Sequence, residues 1–349
     1  MINIDQNSRI YVFCPEKKET GGTELAHQLV DYLRNKLLDA YIVYVDTSTN
    51  SISVKPYIPE SFLKYNIKIA DHIEDVSNNL LVIPETLLLF VNRFEKIQFI
   101  FWWMSVYFYF RSADIRELPF YSKNPYFIAK IIYRKLLNKE KLFNSISFHS
   151  LKKEENRSLH VYQSVYAQNY LLKRGVTTLL PLSDYINTEF INKKIENVAK
   201  EDIILYNPAK GFLFTKKIIK RLPHLKFIPL QGLSRSELGD LFSIAKLYID
   251  FGDHPGKDRI PREAVINNCC IITGKKGAAK FFEDIPIPPK YKFEDQINSL
   301  PKIVEAIEDI LRAYDDRVKD FLFYKNRILK EQQIFYQQIE DIFCERNDI

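Results

Sequence analysis

Short apolar runs rich in β-branched and aromatic residues recur along this chain, and most lead into a stretch with helical spacing. The first is "RIYVFCP". A polar loop, "EKKETGGT", follows it, and "ELAHQLVDYLRNKL" then sets Leu25, Leu29, Leu33 and Leu37 at helical intervals. "AYIVYV", "NLLVIPE" and "IQFIFWW" predict further short buried strands, and "LHVYQS" and "TTLLPL" continue the series. Strands that alternate with helices build a parallel sheet covered on its faces, so the expected fold class is α/β.

A charged connector, "INKKIENVAKED" (Ile191–Asp202), precedes a second alternation. Its predicted order is strand "IILYNP", helix "GFLFTKKIIKRL", strand "KFIPLQ", helix "SRSELGDLFSIA", strand "KLYIDF", helix "IPREAVINN" and strand "CCIITG". Ser234 and Glu237 give the spacing of a capping box at the second of these helices. From Pro301 onward the pattern is helical and amphipathic. A chain of 349 residues exceeds one ordinary core, so two Rossmann-like domains with a helical C-terminal tail are expected. Their bounds are drawn at 1–195, 196–320 and 321–349.

With 46% apolar and 27% charged residues the chain folds, and wholesale disorder is excluded. A net charge of +6 suits a polyanionic ligand or an anionic membrane surface and is too small for a committed nucleic-acid binder. The aromatics of "FIFWW" belong to a core, and no nucleic-acid partner is expected. Cys14, Cys269, Cys270 and Cys344 lack metal-ligand spacing and read as buried, reduced thiols of a cytoplasmic protein. The N-terminal residues lack the build of a signal peptide. The longest uncharged run, Ile97–Phe110, falls short of the roughly twenty residues of a spanning helix.

In an open parallel sheet, ligands bind beyond the carboxyl ends of the strands, near helix N-termini. Glycines gather there. Gly21, Gly22 and Thr23 join the first strand to the first helix, where they serve either a ligand or a plain loop and cap. Asn207, Lys210 and Gly211 repeat that arrangement at the start of the second array, with Lys210 placed to neutralise a phosphate or simply to be solvated. Gln231, at the next strand end, reads a base edge or merely turns the chain. Next comes "DFGDHPGKDRIPREA" (Asp250–Ala264), in which Pro261 suits a first helical turn and Glu263 is favoured there by the helix dipole. Gly277 and Ala278 lie in the turn after the last strand. The last four of these loops, all at strand ends of the second array, predict a binding site on one sheet edge.

These blocks resemble the GT-B fold glycosyltransferases, and most nearly the retaining group-1 type that builds capsule and other bacterial surface polysaccharides. Members carry a Gly-Gly loop opening the first helix, as Gly21-Gly22 does here, and a "K-G" like Lys210-Gly211 that holds the donor diphosphate. They also carry a segment written "EGFGLPPLEA". Counted back from Glu263, this chain places Pro261 and Gly256 on that segment's proline and first glycine, but Pro255 on its first Glu. Asp253 and His254 stand beside the missing residue.

The resemblance implies transfer of a sugar from a nucleotide-diphosphate sugar to a saccharide or lipid-linked saccharide. Lys210, with Arg259 or Arg262, would take the diphosphate, and Glu263 the ribose. Gly256, Lys257 and the Gly277-Ala278 backbone would line the donor, and Asp253 or His254 would contact the transferred sugar. The acceptor would lie on the N-terminal half, with Glu24, Glu85, Trp103 and Tyr107 as candidates. No D-x-D occurs, so no metal and no other cofactor is expected. Two other readings are a nucleotide-sugar 2-epimerase of the same fold and a non-catalytic partner subunit.

Tyr121–Phe143 carries six basic residues against one acid, interleaved with aromatic and branched apolar residues. It reads either as a peripheral contact with the inner face of the cytoplasmic membrane or as a solvated basic face on an ordinary core-packed helix.

Overall fold

The structure, a computed structural model, describes residues 2–137, 146–186 and 199–344. It divides into two compact units. The first holds Met1–Gln163, Ala167–Ser183 and the chain from Tyr336, and the second holds Ser164–Tyr166 and Asp184–Phe335.

The first unit contains β1 (Arg9–Pro15), β2 (Asp39–Asp46), β3 (Ser51–Ile52), β4 (Leu80–Pro84), β5 (Gln98–Trp103), β6 (Ser158–Tyr162) and β7 (Leu179–Pro181). They form one sheet in the order β3-β2-β1-β4-β5-β6-β7. Only the short hairpin partner β3 runs antiparallel. Central strands covered on both faces must be apolar throughout. Accordingly β4 and β5 are buried at every position. The indole of Trp102 donates to the Leu182 carbonyl at 3.0 Å, and that of Trp103 to Nδ1 of His160 at 3.0 Å. Burial holds His160 down at about 4, so it accepts as a neutral ring. The chain's last helix, Glu331–Phe343, sets Tyr336 against Tyr32 with ring centroids 4.1 Å apart, and Glu340 accepts from the Tyr32 hydroxyl at 2.7 Å.

The second unit contains β8 (Glu201–Tyr206), β9 (Lys226–Pro229), β10 (Ala245–Asp250), β11 (Cys270–Gly274) and β12 (Lys292–Phe293), all parallel in the order β12-β11-β10-β8-β9. The helices Phe212–Ile219, Arg235–Ile244 and Arg259–Ile266 make the crossovers. The expected capping box is present: the Ser234 hydroxyl accepts from the Glu237 amide, and the Glu237 carboxylate accepts from the Ser234 amide at 2.7 Å. Ile303, Ile307 and Ile310 of Leu300–Arg312 pack into the same core as β8, β10 and β11.

Three expectations need correction. Glu201 and Asp202 belong to β8 rather than to the connector, whose residues 191–198 lie outside the described residues together with the 195/196 domain bound. The basic stretch from Tyr121 is broken at 122–124, where Pro125 starts a new helix, Pro125–Leu137. Its residues 138–143 lie outside the described residues. Cys344 is exposed, whereas Cys14, Cys269 and Cys270 are buried. β3 and β12, two residues each, are too short to leave a periodic signal.

Candidate functional site

β8 and β10 are neighbours in the second sheet although β9 separates them in sequence. At such a reversal of strand order the connections leave toward opposite faces and open a crevice beyond the carboxyl ends. β8 ends at Tyr206 and passes through Asn207–Gly211 into its helix, and β10 ends at Asp250 and passes through Phe251–Asp258 into the next. Gly211, between these two loops, and Gly277, in the loop that follows β11, hold the three loops in backbone contact. Gly211 has φ +68°, and a Cβ there would lie 2.4 Å from the carbonyl carbon of Phe251. Gly277 has φ +57°, and a Cβ there would lie 2.0 Å from the His254 carbonyl oxygen. That oxygen accepts from the Ala278 amide at 2.8 Å.

A charged cluster fills the head of the crevice. The Lys210 ammonium donates to the Asp253 carbonyl at 3.1 Å, pairs with Asp250 at 3.2 Å and pairs with Asp258 at close contact. Asp250 also accepts from the Tyr248 hydroxyl at 2.8 Å and from the Gly252 amide at 2.9 Å. The fully buried ring of His254 lies between the two carboxylates, with Nε2 3.7 Å from Asp250 and Nδ1 3.2 Å from Asp258, neither in hydrogen-bond geometry. Burial alone would raise Asp258, but His254 and Lys210 outweigh it and hold the carboxyl down at about 2. Burial likewise works against the Lys210 charge, and Asp250 and Asp258 overcome it, so the ammonium is held above the ordinary lysine value. Among the described residues, Asp250, His254 and Asp258 form the group whose donor atoms approach one another as metal ligands do, within 4.8 Å. The Lys210 ammonium rests on the two carboxylates of that group.

The other basic residues of the segment do different work. Arg262 is 0% exposed. Its guanidinium donates to both oxygens of Asp184 at 3.0 and 2.5 Å, to Glu331 at 2.8 Å, to the Lys257 carbonyl at 2.9 Å and to the Asp258 carbonyl at 3.2 Å. Five bonds use the five N–H donors a guanidinium has, so none is left for a phosphate. Lys257 pairs with Glu331 at 2.7 Å and faces Asp184 at 3.8 Å. Burial pushes Asp184 up, and Arg262 and Lys257 more than reverse it, leaving it below the usual carboxylate range. The expected donor contact through Arg262 is therefore corrected: its side chain anchors the loop and the first turn of its helix from inside, and Lys257 pairs with the same two carboxylates.

Arg259, in the first turn, is half-buried, and Glu263 is buried at 6% exposure. Asp253 is exposed, Gly256 is buried, and Gln231 stands exposed at the end of β9. Asn207 is occupied locally, its side-chain oxygen accepting from the Ala209 amide at 2.9 Å. Gly21, Gly22 and Thr23 belong to the first unit. There Thr23 is spent on capping: its hydroxyl accepts from the Thr20 amide at 2.9 Å and donates to the Thr20 carbonyl at 3.0 Å. The Thr23 side chain thus follows the loop-and-cap alternative. Of the acceptor candidates, Glu85 is fully buried at the end of β4, accepts from the Met104 amide at 3.0 Å, and is pushed up to about 8 by burial. Glu24 and Trp103 are also buried.

Sequence reading missed Asp250 and Asp258 as partners of Lys210, and Asp184 and Glu331 as partners of Arg262. The spacing Asp250-x-x-x-His254-x-x-x-Asp258 was visible and could have flagged the first pair. Nothing local flags Asp184 or Glu331, which lie 78 and 69 positions from Arg262.

No protein-family profile matches the chain, and no curated protein matches it in sequence. Solved structures do match. A glycosyltransferase from Rickettsia africae aligns with a TM-score of 0.54 at 15% identity, covering 95% of this chain and 98% of that one. The sucrose-phosphate synthase of Thermosynechococcus elongatus aligns at 0.58 and 11% identity over 96% and 98%. HepE of Anabaena, in complex with UDP and glucose, aligns at 0.56 and 11% over 96% and 99%. With two Rossmann-like sheets, parallel but for β3, and full-length alignment to these proteins, the chain has the GT-B fold.

Proposed function

We propose that the protein is a glycosyltransferase that takes its donor, a nucleotide-diphosphate sugar, at the carboxyl end of β8 and β10. The observation that carries the reading is Lys210 at the strand-order reversal of the second sheet, where Gly211 and Gly277 bring three loops into backbone contact. A phosphate arriving there competes with Asp258 for the Lys210 ammonium, and Arg259 in the next helical turn adds charge. Positive groups fixed against a leaving diphosphate stabilise it as the anomeric bond breaks. Because Lys210 serves as the local cation, the proposed transfer runs without a metal. Glu263 is assigned the ribose and the exposed Asp253 the transferred sugar, while His254, fully buried between Asp250 and Asp258, gives up the sugar contact expected of it. HepE, of the same fold, binds UDP and UDP-glucose, which supports a donor of this class. The resemblance further proposes a saccharide or lipid-linked acceptor, retention at the anomeric carbon and a place in surface polysaccharide synthesis.

The test is incubation of the full chain with a panel of nucleotide sugars, with and without oligosaccharide acceptors, and separation of the products. Nucleoside diphosphate and an extended acceptor support the reading. Epimerised nucleotide sugar with no acceptor dependence moves the protein to the epimerase class. No change in any donor, with no nucleotide binding, removes both.

A further inference from the structure

The helix Pro125–Leu137 of the first unit has its faces arranged against the rule for a solvated helix. Ile131 is buried, and Ile128 and Ile132 are half-buried, so one side is already packed on protein. The opposite side of such a helix is ordinarily polar. Here it carries Tyr126, Tyr133 and Leu137, exposed at 77%, 63% and 63%. Spacings of seven and four residues stack these three on one stripe. Leu136, also exposed, widens the stripe on one flank, and the exposed Lys130 and Arg134 border it on the other. Lys123 stands exposed just before the helix, and no acidic residue occurs from Tyr121 to Leu137.

We propose that this face is a docking surface for an anionic phospholipid bilayer, with the helix lying in the plane of the headgroups. The chemistry selects that occupant. An apolar stripe of tyrosines and leucines suits the boundary between headgroup and acyl chain, where a ring is buried and its hydroxyl stays wet. The one-signed basic border complements lipid phosphates. A helix of 13 residues is about 20 Å long, too short to cross, and no described helix is long and apolar enough to do so. The surface therefore lies on the membrane rather than through it. This inference is independent of the proposed transferase activity.

The experiment is co-sedimentation of the full chain with vesicles of phosphatidylcholine alone and of phosphatidylcholine with phosphatidylglycerol. Binding to the anionic vesicles, falling steeply between 0.1 and 0.5 M salt as the Debye length shrinks below about 10 Å, is expected. Tyr126→Ser/Tyr133→Ser/Leu137→Ser and Lys130→Glu/Arg134→Glu should each weaken it by about tenfold or more, with unchanged melting temperature. Both variants alter only exposed side chains, so folding is preserved. Equal binding by the serine variant, or no binding to anionic vesicles, overturns the proposal. So does a dimer in light scattering that the serine variant dissolves, because the face would then belong to a second copy of this chain.

Discussion

Substituting Met for Arg262 separates its two candidate roles. The structure makes it an internal anchor whose donors are all used by Asp184, Glu331 and two carbonyls. Arg262→Met leaves both carboxylates buried with Lys257 as their remaining cationic partner. Removing one partner of a buried ion pair costs about 3–5 kcal/mol, because the charge left behind is desolvated and uncompensated. In a unit of this size each kcal/mol lowers the melting temperature by roughly 2–4 °C, which predicts a fall of about 10 °C. Both tryptophans, Trp102 and Trp103, lie in the first unit. Their fluorescence therefore reports that unit, while scanning calorimetry reports both, and the loss should appear in the calorimetric transition of the second. Adding Asp184→Asn and Glu331→Gln should restore most of it. An unchanged melting temperature together with weakened nucleotide binding would refute the anchor and return Arg262 to the phosphates.

Other consequences are equally open to measurement. Gly277→Ala puts a Cβ 2.0 Å from the His254 carbonyl at φ +57°, so it should destabilise the second unit by more than the roughly 1–2 kcal/mol of a left-handed alanine, read by calorimetry. Asp258 sits at about 2 in the fold against 3.8 ordinarily: its stabilisation, about 2 kcal/mol, is present above pH 3.8 and lost as pH falls through 2. Asp258→Asn should erase that part of the acid limb in a denaturation series. Glu85 is shifted the other way, to about 8. Its neutral form favours the fold below pH 4.5, and that advantage is lost as pH rises to 8, by at most about 1.4 kcal/mol per pH unit. Glu85→Gln should flatten this slope in the tryptophan-detected unfolding of the first unit, and an unaltered slope would mean the carboxyl is ionised in place.

The alternation of "RIYVFCP", "NLLVIPE" and "IQFIFWW" with helical stretches was legible because parallel strands buried on both faces must be apolar without interruption. The Ser234–Glu237 cap was legible because its partners are three residues apart. The same locality explains Lys210 and Gly211, which any strand-to-helix turn would expose to reading. Arg262 shows the opposite case. Its charge looked available because sequence displays a residue's chemistry but not its partners, and Asp184 and Glu331 reach it only through tertiary packing. His254 shows it too, since a ring that reads as a loop side chain open to a sugar is buried between two carboxylates.

The central claim is that the crevice at β8 and β10 holds a diphosphate through Lys210. Calorimetric titration of the full chain with paired nucleoside monophosphates and diphosphates tests it directly. A hydrogen bond to a charged group is worth roughly 1.5–3 kcal/mol, so the account predicts that the diphosphate of the preferred base binds about tenfold or more tighter than its monophosphate. Equal affinity for the two, or binding of neither, would contradict it.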